Sequence, residues 1–386
     1  MIIGIIGAPN KGKSSFFSCV THFDAQIANY PFTTIDPNKA VAYLKVKCPS
    51  TELGVKSNPR NGRLQNGMRD VPVQLIDVAG LVPNAHEGKG MGNKFLDDLC
   101  SANGFLQIID ASAKTDLEGN PVSVFDLQKE IEFLDTELRF WILSILKRNT
   151  SKYKGRDIDS LCSVLSGLSY SPELVKKCAR TVGIDQKKIN ADEKEIERLS
   201  LELSKNAKPK IIVANKCDLK GAMQNARELA KKTQEQIVCA SAQYEQVLQI
   251  VKKRGLIRYM EGSNSFEIIS DVDEKQKQAL QKIAKFLQEN DGTGVHRALH
   301  KLVFDKIGMI VVYPVENEKT YADSNGNVLP DALLMPRGST VIELAQKVHA
   351  DLAKKFIGAI DARKKIRVAK EHPLKNGDVI KIISGR

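Results

Sequence analysis

The sequence predicts an α/β protein: a mainly parallel sheet with polar motifs at its strand ends, interrupted by a helical insertion and followed by a smaller mixed-sheet unit. Three observations predict it. The apolar run Met1-Ile-Ile-Gly-Ile-Ile6 leads straight into Gly7-Ala-Pro-Asn-Lys-Gly-Lys13-Ser14, which fits the pattern G-x-x-x-x-G-K-S/T at every fixed position. Later apolar segments at 71–77, 210–214 and 236–240 each end in a second polar motif. Residues 116–206 carry helical periodicity, and the last eighty or so alternate short strand patterns with one capped helix.

The loop after the first strand lets backbone amides converge on one spot, where they can hold phosphate oxygens. Pro9, Asn10, Lys11, Gly12, Lys13, Ser14 and Ser15 are therefore the candidate phosphate contacts. Lys13 suits the outer phosphates as a point charge, the Ser14 hydroxyl suits magnesium, and the helix opening near Lys13 adds its positive dipole end. The segment Ile27-Ala-Asn-Tyr-Pro-Phe-Thr-Thr34-Ile35 follows, and Thr34, preferred over Thr33, is placed to complete a magnesium shell. A strand is expected at 39–46, then an irregular excursion at 48–70.

Val71-Pro-Val-Gln-Leu-Ile-Asp77 is a strand ending in a carboxylate that can hold magnesium through water, and Val78-Ala-Gly80 offers the Gly80 amide to a terminal phosphate. Leu81 cannot orient a water, so the general base is unassigned. His86 in the glycine-rich stretch beyond is a conceivable substitute, though a solvated loop histidine is the plainer reading. Strand 104–110 resumes the sheet, and the insertion intervenes before strand 209–214. Within it Ile131, Leu134, Leu138, Trp141 and Ile145 share a heptad spacing with Ile196, Leu199 and Leu203, so the two helices are expected to pair as an antiparallel hairpin.

Asn215-Lys-Cys-Asp218 and Ser241-Ala242 end the next two strands. Asp218 can accept from N1 and N2 of guanine, a donor pair that adenine lacks. Asn215 suits the other edge of the purine, the Lys216 stem its face, and the Ala242 amide its carbonyl oxygen, with Ser241 beside it. A helical connector is expected over 263–304, where His296 and His300 read as helix-face residues rather than metal ligands. Residues 305–386 read as a mixed sheet crossed by one helix, which opens with a capping box at 339–343 and aligns Leu344, Val348 and Leu352. Arg363, Lys364, Lys365, Arg367 and Lys370 crowd one hairpin there, suited to RNA phosphates or simply to water.

Composition bounds the rest. The 386-residue chain is 42% hydrophobic with a formal charge of +12, of which +6 falls in 207–262 and +4 in 305–386. That balance favours a polyanionic partner. Seven cysteines without a C-x-x-C pair argue for reduced thiols rather than a disulfide frame or zinc site. No run approaches a membrane span, and the apolar start reads as a buried strand, so a cytoplasmic protein with no membrane partner is expected.

With these residues in place the sequence resembles the Obg-related GTPases that carry a C-terminal TGS domain, in the YchF-like and archaeal Obg-like branch. The resemblance rests on the Gly7 to Ser14 loop, Asn29-Tyr-Pro-Phe-Thr-Thr34, Asp77-Val-Ala-Gly-Leu-Val-Pro, His86-Glu-Gly, Gly92-Asn-Lys-Phe-Leu and Pro336-Arg-Gly-Ser-Thr. It implies a Ras-like P-loop GTPase domain (1–115 and 207–262), a helical insertion (116–206), the connector (263–304) and a β-grasp TGS domain (305–386). It also implies slow, magnesium-dependent hydrolysis of GTP to GDP, with Lys13 and the Gly80 amide assisting, and association with a ribosome or structured RNA and an unidentified protein regulator. Leu81 matches the hydrophobic residue such enzymes carry, and Asn10 matches the asparagine of relatives that use potassium. ATP-preferring YchF-like proteins have lost the lysine and aspartate of N-K-x-D, whereas Lys216 and Asp218 are present. An ATPase, or a nucleotide-sensing scaffold that binds RNA or protein without turnover, are the alternatives. Lys11 stands where relatives carry a small or aliphatic residue, and sequence leaves open whether it faces solvent or the phosphates.

Overall fold

Among the described residues the first seven strands are β1 (Ile2–Ile6), β2 (Lys39–Lys47), β3 (Leu64–Gln65), β4 (Met68–Asp77), β5 (Gly104–Asp110), β6 (Lys210–Asn215) and β7 (Ile237–Cys239). In this computed structural model the described residues are 1–21, 38–78, 101–168, 170–206, 208–233 and 235–385. Thr33, Thr34, Gly80, Leu81, His86 and Gly92 lie outside them. The described chain divides into two compact units, residues 2–19 with 75–298, and Met1 with residues 20–74 and 299–386.

In the first unit β1, β5, β6 and β7 are parallel neighbours in that order, with Ile3 opposite Gly104, Phe105 opposite Lys210 and Ile212 opposite Ile237. The end of β4 joins β1 through Val78 N–H donating to Ile5 O. β5 is buried at every position, as a central parallel strand covered on both faces must be. Helix α1 (Lys13–Thr21) starts inside the glycine loop, with Phe16 N–H donating to Gly12 O at 2.9 Å.

Helix α2 (Leu127–Arg148) is shared between two cores. Its first turns place Leu127 and Ile131 against Ile109, Ile212 and Ala214 of the sheet. Its later turns place Leu134, Leu138, Trp141 and Ile142 against Ile196, Leu199 and Leu203 of helix α3 (Glu193–Lys205). Lys147 near the end of α2 pairs with Glu193 at the start of α3, while Lys210 beyond α3 pairs with Asp135 early in α2 at 2.7 Å. The two helices therefore run antiparallel. Between them the helices Ile158–Ser166 and Pro172–Val182 add Leu161, Leu165, Val175 and Cys178 to the same core, which turns the expected hairpin into a small bundle. That core also contains Ile6, Ile76 and Phe105 of the sheet, so residue 116 marks no break in packing.

Helix α4 (Ala242–Lys253) and helix α5 (Glu274–Asn290) enclose Leu248, Ile257, Tyr259, Leu280, Ile283 and Leu287, and Phe286 reaches the core beside β6. The stretch expected as a connector thus packs on the sheet. Asp273 caps α5 in a reciprocal capping box with Gln276.

The second unit holds a five-stranded mixed sheet formed by β10 (Met309–Val315), β11 (Leu333–Pro336), β12 (Phe356–Asp361), β13 (Ile366–Val368) and β14 (Val379–Ser384), where β8 (Ile257–Tyr259) and β9 (Phe266–Ile268) are the separate hairpin that precedes it in the chain. The order is β11-β10-β14-β12-β13, with only β10 and β14 parallel. Helix α6 (Val341–Val348) lays Val341 and Leu344 on Ile310, Val312 and Ile380. It is shorter than its apolar spacing suggests. His349 is extended at φ −164°, and its Nδ1 accepts from Asp351 N–H, so Leu352 sits on a separate turn.

Residues 48–70 belong to this second unit rather than forming a free excursion. Asn58 N–H donates to Val328 O at 2.8 Å, Arg60 pairs with Asp323 at 2.8 Å, and Arg363 bonds Glu52. Arg69, fully buried, donates to Leu329 O and Pro330 O at 3.2 and 2.9 Å. Residue 305 is therefore not a packing boundary either.

Candidate functional site

The strand ends of the first unit bring two groups of residues together. At one end is the glycine loop. Gly7 has φ +149° and a Cβ there would stand 2.3 Å from Ile108 O, while a Cβ on Gly12, at φ +86°, would stand 2.4 Å from Asn215 Nδ2. Both positions demand glycine. Lys13 is 9% exposed and donates to Ala8 O at 2.8 Å, so among the described residues its ammonium is held by one backbone carbonyl. Ser14 and Ser15 follow on the first turn of α1, Ser14 exposed and Ser15 half-buried, with Pro9 half-buried across the loop.

Ser14 Oγ donates to Asp77 Oδ2 at 3.2 Å. Magnesium prefers hard oxygen donors and keeps several of its waters, so a hydroxyl that meets the ion and a carboxylate beside it that reaches the ion through water fit it together. Burial raises the Asp77 carboxyl above its ordinary value, against the pull of Ser14 and Lys13. Burial also lowers the Lys13 ammonium, with Asp77 opposing. A bound divalent cation would favour the charged carboxylate. For potassium the fit is narrower: Asn10, at φ 61°, gives its Nδ2 to Gly119 O at 3.0 Å and has only its Oδ1 to offer a cation.

At the other end is the N-K-x-D turn. Asn215 donates from Nδ2 to Lys11 O at 3.0 Å and accepts at Oδ1 from Ala242 N–H at 3.0 Å. It ties the glycine loop to the Ser241 turn, so the Ala242 amide is engaged by Asn215. Asp218 accepts from Ser241 Oγ at 2.6 Å, which fixes one carboxylate oxygen and the plane of the other. Lys216, at φ 63°, reaches back along the cleft to Asn10 O at 2.8 Å and to Asp110 Oδ2 at 2.9 Å.

Lys11 faces neither solvent nor phosphate. It is fully buried, donates to Thr115 O and Oγ1 at 2.9 and 2.8 Å, and stands 3.2 Å from Glu130 on α2 and 5.6 Å from the Phe125 ring. Thr115 in turn donates to Asp110 Oδ2 at 2.8 Å. Lys11, Thr115, Asp110, Lys216 and the Asn10 carbonyl thus close a ring between the two ends. Burial alone would raise the Asp110 carboxyl, but donors from Ser112, Lys216 and Thr115 hold it below the ordinary value. Glu130 is the reverse case: burial outweighs Lys11 and lifts its carboxyl to about 7. The ammonium directs two of its three protons to Thr115, and neither Glu130 oxygen has a hydrogen-bond partner among the described residues.

Asp110, Thr115 and Glu130 were not singled out by sequence. The available signal was β5, an apolar strand that ends in a carboxylate as β4 does.

In the second unit the five candidate cations lie on and beside the β12–β13 hairpin. Arg363 is tied to Glu52 and to Gly377 O, Lys364 to Asp361, and Lys370 stands 3.4 Å from Glu371. Lys365 and Arg367 are exposed. The described residues contain no cluster of three or more metal-ligating side chains, and no described helix is long and apolar enough to cross a membrane.

Comparison with known proteins places this geometry. Residues 2–145 match the family "50S ribosome-binding GTPase", residues 213–317 match "Obg-like GTPase YGR210-like, G4 motif-containing domain", and residues 325–384 match the TGS domain. An uncharacterized GTP-binding protein of Methanocaldococcus jannaschii is 47% identical over 99% of both chains. The chain belongs to the Obg-like GTPases. Within this family an uncharacterized GTP-binding protein of Schizosaccharomyces pombe is 32% identical, over 93% of this chain and 92% of its own. The crystal structure of a GTP-binding protein from Pyrococcus horikoshii superposes over 100% of both chains with a TM-score of 0.76 at 31% identity. This Obg-like GTPase thus joins a P-loop GTPase domain to a C-terminal TGS domain, and the mixed sheet crossed by α6 is the TGS fold.

Proposed function

We propose that the chain binds guanine nucleotide with magnesium, hydrolyses GTP slowly to GDP and phosphate, and acts as a switch on a ribosome or structured RNA. One observation carries the nucleotide part: Lys13, Ser14 and Asp77 come together beside a glycine loop that Asn215 ties to the turn presenting Asp218, aimed by Ser241. Lys13 exchanges its bond to Ala8 O for the outer phosphates, and the loop amides hold the inner ones. Magnesium held by Ser14 and Asp77, the latter through water, would neutralise charge between the phosphates. Asp218 reads the guanine edge, and the Lys216 stem spans from base to loop. Hydrolysis then rests on electrostatic stabilisation by Lys13 and backbone amides, a mode that gives a low rate without a positioned base.

Calorimetry with GTP, GDP and ATP on the full chain tests this reading. GTP and GDP should bind with magnesium and ATP should not compete. Asp218→Asn should weaken GDP by about a hundredfold or more, because a donor would face the guanine N1 and N2 hydrogens. Equal binding of ATP and GTP would refute it.

The RNA part rests on the exposed Lys365 and Arg367 and on the basic balance of residues 305–386. Deleting those residues would strip Arg69 and Arg60 of their partners, so charge reversal is the cleaner test. Lys365→Glu with Arg367→Glu should weaken cosedimentation with ribosomes and flatten its salt dependence while leaving GDP affinity unchanged. Unchanged cosedimentation would reject it.

A further inference from the structure

The turn that presents Asp218 with its hydroxyl partner is held from behind by a segment that carries no nucleotide motif. Ser241 N–H donates to Thr293 O at 2.9 Å, while Ser241 Oγ donates to Asp218. Thr293 is 1% exposed and its Oγ1 donates to Glu245 Oε2 at 2.5 Å. Glu245, fully buried on the first turn of α4, also accepts from Tyr259 OH at 2.9 Å and from Gln249 Nε2 at 3.1 Å. Gln249 in turn donates to Cys19 O on α1, so the network spans from the base turn to the helix of the phosphate loop.

The segment around Thr293 is itself clamped. Asn290 Nδ2 donates to Cys239 O at 3.0 Å at the end of β7, and a Cβ on Gly294, at φ +81°, would stand 2.0 Å from that same oxygen. The residues at 290–294 are therefore built to press on the strand end from which the Ser241 turn departs. His296, which reads in sequence as a helix-face residue, is only 9% exposed, with Nε2 3.7 Å from Glu245 Oε1.

We propose that Thr293, Glu245 and Tyr259 are positioning residues for base specificity: they fix the Ser241 turn, and through the Ser241 hydroxyl they fix the plane in which the Asp218 carboxylate meets the base. The inference rests on the guanine reading above and deepens it. A carboxylate that accepts from both N1 and N2 of guanine must hold both oxygens coplanar with the base; a rotation about its last side-chain bond lifts both out of that plane, so a base that offers two donors loses more than a base that offers one. Removing the brace should therefore erode discrimination between guanine and hypoxanthine, which lacks the 2-amino group, more than it erodes binding as a whole.

The test is calorimetry of the full chain with GDP and IDP, each with magnesium. Wild type should prefer GDP by about tenfold or more. Thr293→Val, which keeps the side-chain shape and removes the donor, should bring the preference to within about threefold, chiefly through weaker GDP binding, and Thr293→Ser should restore it. Tyr259→Phe removes one of the donors to Glu245, so it should loosen the brace in part and give an intermediate ratio, which keeps the proposal testable if Thr293→Val folds poorly. A ratio unchanged in Thr293→Val and Tyr259→Phe, whatever the change in melting temperature, would overturn the positioning role. A wild-type chain that does not distinguish GDP from IDP would overturn the guanine reading and this inference with it.

Discussion

The two ends of the cleft are finished to different degrees. At the base end the polar groups of Asn215, Ser241 and Ala242 are engaged by one another and by the segments behind them. At the phosphate end, among the described residues, Lys13 has one carbonyl partner and Ser14 one carboxylate. The base end is thus preorganised, its entropy cost met on folding, whereas the phosphate end keeps groups that a ligand's oxygens can take over. Lysines make the contrast plain. Lys11 and Lys216 are tied to carboxylates and hydroxyls of the fold, whereas among the described residues Lys13 meets one backbone carbonyl, a partner it can exchange.

That contrast can be broken most forcefully at Lys13. Lys13→Ala should lower single-turnover GTP hydrolysis by about a hundredfold or more with little loss of fold stability, because among the described residues no ion pair holds the lysine in place. A comparable loss of thermal stability would show it to be a strut like the others. Lys11→Met should do the opposite. It strands Glu130 beside Thr115 and should cost about 2 kcal/mol of stability at pH 8, read by denaturant unfolding, with a smaller loss near pH 5, where Glu130 is neutral and needs no cation.

The same comparison is sharpened through pH. The Glu130 carboxyl, ordinarily near 4.5, is lifted to about 7 in the folded chain. The folded state therefore keeps a proton that the unfolded state has released between those values, and this site's contribution to stability falls as pH rises from 4.5 to 7. Glu130→Gln should remove that slope, gaining on wild type by up to about 3 kcal/mol at pH 8 relative to pH 4.5. Unfolding free energies of both proteins at the two pH values check it; parallel curves would place the proton elsewhere.

The sequence made the cleft legible wherever chemistry is packed into a few consecutive residues. Gly7 to Ser14, Asp77, Asn215 to Asp218 and Ser241-Ala242 announce themselves because one turn must supply several groups at once. What joins these motifs was not legible. Lys11 finds Thr115 across 104 residues, and Asn215 finds the Lys11 carbonyl across 204, through a sheet order that no local spacing encodes. The insertion was readable as helices from its apolar stripe, yet the sharing of α2 between two cores was not, since Ile131 and Leu134 look alike in sequence and face different neighbours. The span 48–70 read as irregular because its order comes from partners at the far end of the chain.

Those far partners bear on how the protein is made. Arg69 meets the Leu329 carbonyl 260 residues later, and Arg60 meets Asp323 after 263. On a translating ribosome, residues 20–74 leave the exit tunnel long before their packing partners exist, so this unit cannot be completed until the last strand of the TGS sheet is synthesised. Contacts of such range also slow closure in refolding from denaturant. The P-loop unit, completed by residue 298, is free to assemble first, and any nucleotide it captures at that stage could act as a scaffold while the other half of the molecule is still being threaded together.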